Sequence, residues 1–313
     1  MRIEEALCRP IADTPRTRRY QELLDRSVEE KLPQFDTERG LWLPTGTPAV
    51  WTEEEVRGWD DDTIRRISRD ARWRFHYEQE RATPAHLARM AFCYARPASR
   101  RHGDARLLDL VRRGLRSYAS AQTDHGSFVN CPMRFAETWG SHEMAWRLEP
   151  WVCARAWLGD RLPEEDRRIA DAMIRRAAAY LYSHPNTDPN NRGAVWSAVM
   201  ALCALYLREE SYLRAARENW RRIAPAILQA GTVVEDLGPD SNYSYTGFSY
   251  VYLYRALSGD DAYDAEMVRA LQWFGRWRTR SGYALEGMSS RVRRIGMNRL
   301  ADLLGAWERF AVV

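Results

Sequence analysis

The chain has 313 residues, of which 45% are hydrophobic and 12% aromatic, with 13 Trp and a formal net charge of +4 from 47 Lys+Arg against 43 Asp+Glu. This length can bury a large core, the apolar share excludes wholesale disorder, and no run approaches the roughly 18 apolar residues of a membrane span. The small charge excludes the clustered basic excess of nucleic-acid binders, so neither nucleic acid nor a membrane is expected as a partner.

The N-terminus, Met1 to Leu7, is charged and has no apolar run, which predicts no secretory signal. Five cysteines (Cys8, Cys93, Cys131, Cys153, Cys203) form no CxxC pair. They predict reduced thiols, no zinc site and no disulfide framework. Together these features point to the cytoplasm; a periplasmic or secreted location would require a signal already removed.

In chain order, the first helix is expected over about 16–32. Asp60, Asp61 and Asp62 stand before Ile64-Arg65-Arg66-Ile67 and read as N-terminal caps of the next. The aspartate run also invites comparison with metal-binding Asp-rich motifs, but Ile64 stands where a further Asp is wanted. Thr83-Pro84 reads as an N-cap with proline at the first helical position. Leu107, Leu108, Val111, Leu115 and Tyr118 mark another helix. Pro163 opens a helix over 165–183, in which Ile169, Met173, Ile174, Ala177, Ala178 and Leu181 recur at helical spacing. Further helices are expected over 141–158, 192–208, 210–228, 263–279 and 291–311. Tyr243, Tyr245, Tyr250, Tyr252 and Tyr254 partly alternate, but the run into Leu253-Tyr254-Arg255-Ala256-Leu257 favours a loop entering a helix.

The chain is therefore expected to be all-α. Amphipathic segments (165–183, 210–222) alternate with one that is apolar nearly all round (194–203), and an outer ring of helices around a buried inner ring accounts for both. The expected architecture is one (α/α) toroid domain over 1–313, an incomplete (α/α)6-type barrel of helix hairpins, with 1–58 packing on it as an extension. No short repeat supports a TPR-type array.

Residues able to do chemistry concentrate before the buried helices. The first segment runs from Glu137 through Trp139, His142, Glu143, Trp146, Arg147 and Glu149 to Trp151. The second is 183–193, with Asn190, Asn191 and Arg192; the third is 234–247, with Glu235, Asp236, Asp240, Tyr243 and Tyr245. A fourth, 286–294, holds Glu286, Arg291, Arg293 and Arg294. Each has a bland reading beside the functional one. Asn190-Asn191 after Asp188-Pro189 is also turn and N-cap chemistry. Glu143 and Arg147, four apart, also make an internal ion pair. The tyrosines also serve as packing groups, and the tryptophans at 73, 157, 220, 273, 277 and 307 are expected in helix packing.

The three ordered segments resemble the helical domain of heparinase II/III-type polysaccharide lyases, within the alginate and chondroitin lyase superfamily. The resemblance rests on a Glu-x-x-x-Arg-(Leu/Ile)-x-x-Trp-like helix (Glu143 to Trp151), an Asn-Asn-His-like helix start at Asn190-Asn191-Arg192, and a Glu-Asp-x-x-x-Asp-x-x-Tyr-like loop at 235–245. The sequence departs from that pattern in Arg192, where the family has His, and in lacking the Tyr-His pair of the third motif. A β-sandwich follows the helices in the lyases.

The resemblance implies β-elimination at a uronic acid residue of an acidic polysaccharide. The proton α to the carboxylate is removed, the 4-linked sugar is expelled, and the enolate-like intermediate needs a neutralised carboxylate. On this reading Asn191 binds the carboxylate, Tyr243 or Tyr245 is the base or acid, His142 is a second proton-transfer group, and Arg192 or Arg291 lowers a tyrosine pKa. Glu143 and Arg147 shape the cleft, Asn190, Asp240 and Arg291 also bind the substrate, and Trp139, Trp146 and Trp196 stack on sugar faces. No cofactor or metal is called for. The alternatives are an (α/α)6 glycoside hydrolase drawing two carboxylates from Glu143, Glu235, Asp236, Asp240 and Glu286, and a non-catalytic glycan-binding domain.

Overall fold

The computed structural model describes residues 3–8, 10–43, 71–122, 124–128, 137–228, 234–235, 238–239 and 241–276. Among them are ten α-helices and two short two-stranded sheets, an all-α protein. The chain falls into two compact units, 1–184 and 185–313.

In the first unit, α1 (Ile3–Leu7) precedes α2 (Pro15–Lys31). Thr14 caps α2: its hydroxyl accepts from Thr17 N–H at 3.1 Å, and Thr17 Oγ1 accepts from Thr14 N–H at 2.9 Å. Two backbone donors are thus satisfied reciprocally, with Pro15 behind them where no N–H is needed. Further along α2, Asp25 is 1% exposed. It accepts from Gln21 Nε2 (2.9 Å), Ser99 Oγ (2.6 Å) and Arg100 N–H (3.1 Å), and so ties α2 to the turn at 97–100.

A hairpin of β1 (Phe35–Asp36) and β2 (Leu41–Trp42) pairs Phe35 with Trp42 and Asp36 with Leu41. Gly40, at φ +67°, lies so close to α4 (Ala105–Ala121) that a Cβ would stand 2.3 Å from Gly114 N. A Cβ on Gly114 would meet Gly40 O at 2.7 Å in turn, so two glycines let hairpin and helix touch backbone to backbone.

The helix α3 (Ala71–Ala95) corrects one expectation. Thr83-Pro84 does not open a helix but lies inside this one. Pro84 has no N–H, which removes one rung of the helical ladder. Thr83 is fully buried, and its hydroxyl accepts from Trp42 N–H (3.1 Å) of the hairpin rather than capping a helix end. A tertiary contact has taken the side chain that local rules assign to an N-cap.

The helix α3 packs on α4 and on α5 (Glu137–Leu158), and α6 (Glu164–Ser183) packs on α4 and α5. Pro163 is the N-cap of α6, one position before the place expected for it, and Glu164, Glu165 and Asp166 fill the first turn. Asp166 is fully buried and joins two helices, with Arg112 Nε at 2.5 Å and Arg116 Nε at 2.7 Å from its two oxygens. Burial alone would raise the Asp166 carboxyl, but hydrogen bonds from Arg112 and Arg116 outweigh it and hold it below the usual carboxylate range.

In the second unit α7 (Asn191–Leu207) packs against both α8 (Glu210–Leu228) and α9 (Ser241–Ser258). Of the 17 residues of α7, 13 are buried, as its apolar run around Ser197 requires. The helix α8 is amphipathic and turns Ala216, Trp220, Ile223, Ala224 and Ile227 inward. A bridge of β3 (Val234–Glu235) and β4 (Gly238–Pro239) precedes α9, and α10 (Asp264–Arg276) follows it. The Tyr-rich segment is thus helix from Ser241 onward. Trp220 packs on Tyr254 with ring centroids 5.1 Å apart and on Tyr263 at 6.3 Å. The Asp60–Asp62 cap and the helix expected over 291–311 lie outside the described residues, as do Trp277 and Trp307.

Candidate functional site

The residues singled out in the sequence fall into two groups, one in each unit. In the first unit α5 carries His142, Glu143, Trp146 and Arg147 on successive turns. Glu143 is 2% and Arg147 0% exposed. Arg147 Nη1 donates to Glu143 Oε2 at 3.0 Å and to the Glu143 backbone carbonyl at 3.1 Å. These two side chains form a buried ion pair inside one helix rather than a charged lining open to a ligand. His142, 4% exposed, lies against Trp146 with ring centroids 3.9 Å apart and planes at 54°. Trp146 keeps partial exposure.

In the second unit the group sits where the loop 185–190 enters α7. Asn190 is the N-cap, and its Oδ1 accepts from Arg192 N–H at 2.9 Å. Asn191 follows at the first helical position, 2% exposed, and its Oδ1 has no hydrogen-bond partner among the described residues. Arg192 reaches back to Asp188, Nη1 to Oδ2 at 3.4 Å, so the cation expected to assist a tyrosine already faces a carboxylate. Trp196, expected as a sugar-stacking platform, is 1% exposed. It lies in the buried run of α7 with its ring covered, and is a core residue.

The structure also shows polar residues here that the sequence reading passed over. Asn186 is fully buried and Oδ1 accepts from Asp188 N–H at 3.1 Å, which shapes the loop as an Asx turn. Asn219, on α8 and 4% exposed, donates from Nδ2 both to Asn186 O (2.8 Å) and to Ser197 Oγ (3.0 Å). Ser197 Oγ in turn donates to Gly193 O at 2.9 Å. The signal was present in sequence: Asn219 is the one polar residue among the inward-facing residues of α8.

Tyr243 and Tyr245 fall by backbone in the first two turns of α9; their side chains, and that of Trp139 on α5, lie outside the described ones. Asp236, Asp240, Glu286, Arg291, Arg293 and Arg294 lie outside the described residues altogether, as does Cys131. Among the described residues no group of three or more His, Cys, Asp or Glu gathers as a metal site, and no helix is long and apolar enough to cross a membrane.

Chemically, the loop-to-helix junction of the second unit offers a buried amide at the positive end of a helix dipole, a setting that favours an anion. The buried pair on α5 offers structure rather than chemistry. Comparison with protein-family models and with curated protein sequences finds no match to this chain.

Proposed function

We propose that the chain is a polysaccharide lyase that cleaves a uronic-acid-containing acidic glycan by β-elimination on an (α/α)-toroid scaffold. Asn191 neutralises the sugar carboxylate in this reading. The observation that carries it is the Asn191 side chain, 2% exposed at the start of α7, with a buried Oδ1 that no described residue satisfies. Buried amides are nearly always hydrogen-bonded, so an open one calls for a partner from elsewhere. An amide turned about its last bond presents NH2 in place of oxygen. That rotation lets Asn191 donate to a carboxylate.

Neutralising the carboxylate lowers the cost of the carbanion-like charge that forms when the neighbouring C–H proton leaves. Tyr243 or Tyr245, on the first turns of α9, takes that proton and returns one to the departing sugar oxygen. The paired-carboxylate hydrolase is disfavoured in one respect: Glu143 is committed to Arg147.

The test is a panel of alginate, polygalacturonate, chondroitin sulfate and heparin, followed by the ultraviolet absorbance of the new conjugated double bond. The expected result is absorbance with at least one polymer, its loss in Asn191→Ala and Tyr243→Phe, and an unchanged circular dichroism spectrum. Reducing ends without absorbance point to hydrolysis, and binding without either product points to a glycan-binding domain. Either outcome rejects the lyase reading.

A further inference from the structure

We propose that Asn219 is a positioning residue: its amide sets the conformation of the segment 186–191 and hence where Asn191 stands. The inference rests on the reading of Asn191 as the carboxylate-binding group.

The two hydrogens on Asn219 Nδ2 go to points on either side of Asn191 in the chain. One is the Asn186 carbonyl, at the start of the loop (2.8 Å); the other is Ser197 Oγ, six residues beyond Asn191 on α7 (3.0 Å). Ser197 passes the link back to Gly193 O at 2.9 Å, on the same turn as Asn191. Between these points the loop closes on itself, Asp188 N–H to Asn186 Oδ1 at 3.1 Å and Asn190 N–H to Asp188 O at 2.8 Å. The loop also lies hard against the helix, since a Cβ on Gly193 would stand 2.3 Å from Asp188 O. A single amide from α8 therefore fixes both the loop and the helix it enters.

Asn219 is a poor choice for stability alone. Its neighbours on the buried face of α8 are Ala216, Trp220, Ile223, Ala224 and Ile227, and its own Oδ1 has no partner among the described residues. An apolar side chain there would remove that unsatisfied Oδ1, at the cost of the donor now given to the Asn186 carbonyl. What only the asparagine supplies is the pair of N–H donors that hold the segment carrying Asn191.

The experiment compares wild type, Asn219→Leu and Asn219→Gln in the full chain by amide hydrogen exchange and by elimination kinetics. In Asn219→Leu, exchange over 186–192 should accelerate at least tenfold while the later turns of α7 and the body of α8 keep their protection. The turnover number kcat should fall at least tenfold with KM within about twofold, because the carboxylate-binding amide is displaced rather than removed. Asn219→Gln keeps the donors and should recover part of both. Unchanged exchange over 186–192, acceleration spread evenly across α7 and α8, or an unchanged kcat overturns the proposal. If wild type eliminates none of the four polymers, the lyase reading fails, and the exchange data alone then decide whether Asn219 sets this segment.

Discussion

Arg147 holds the carboxylate of Glu143 at 3.0 Å from one helical turn away, with neither side chain more than 2% exposed. Removing one member of a buried ion pair takes from the other a charge-assisted hydrogen bond that water does not replace there. Arg147→Met and Glu143→Gln should each cost about 3–5 kcal/mol in urea denaturation. The double substitution Glu143→Met/Arg147→Met should recover most of that loss, because apolar side chains of similar volume carry no desolvation penalty. Single substitutions costing less than about 1 kcal/mol would show that the pair is solvated and available to a ligand after all.

His86 on α3 faces the N-terminal hairpin, with ring centroids 4.9 Å from Trp42 and 6.4 Å from Phe35. Burial, with the charges of Arg89 and Lys31 added, pushes its pKa down to about 3. The folded chain therefore holds this imidazole neutral where the unfolded chain, near 6.5, already binds a proton. Stability from this site is intact above about pH 6.5 and is lost as pH falls from there toward 3. The difference in unfolding free energy between wild type and His86→Gln should change between pH 6.5 and 5, by at most about 1.4 kcal/mol per pH unit. Parallel curves over that interval would show that His86 is solvated.

Much of the helical framework is legible in the sequence because period and punctuation agree. The 210–228 stripe is α8 residue for residue, and the apolar run from Ala194 to Cys203 could only be a helix covered on all sides. Thr83-Pro84 misleads for a physical reason. Local rules cannot know that Trp42 N–H, 41 residues earlier, takes the threonine hydroxyl and leaves the proline inside a helix. The site divides in the same way. That Asn190 caps a helix is written in the local sequence, and so is the i,i+4 pairing of Glu143 with Arg147. That Trp196 is closed off and that Asn219 reaches Asn186 both depend on how α7 and α8 meet, which no local spacing encodes.

Thiol reactivity separates the cysteines by burial. Burial pushes Cys93 and Cys203 up to about 12, and the nucleophile in alkylation is the thiolate. Cys8, by contrast, is exposed. Iodoacetamide at pH 8 on the native chain should therefore modify Cys8 within minutes and leave Cys93, Cys153 and Cys203 unmodified until denaturant is added, as read by peptide mass spectrometry. Modification of Cys203 at a rate near that of Cys8 would contradict the closed packing of α7.

Gly193 provides the sharpest test of the junction at the head of α7, because two effects of opposite sign compete there. In an open helix, replacing glycine by alanine stabilises by about 1 kcal/mol, since glycine loses more backbone freedom on folding. Here the added Cβ would stand 2.3 Å from Asp188 O and 2.8 Å from Ile223 Cδ1. The isoleucine methyl can turn aside, but the Asp188 carbonyl belongs to a loop held by Asn186 and Asn190 and cannot retreat without breaking those hydrogen bonds. Overpacking of this kind costs about 1–3 kcal/mol, enough to outweigh the entropic gain. Gly193→Ala should therefore destabilise in urea denaturation, and the displaced loop should shift the resonances of Asn186 through Asn191 while α10 stays unperturbed. A stabilised Gly193→Ala would mean that the loop stands clear of the helix, and the account of how Asn191 is held would fall with it.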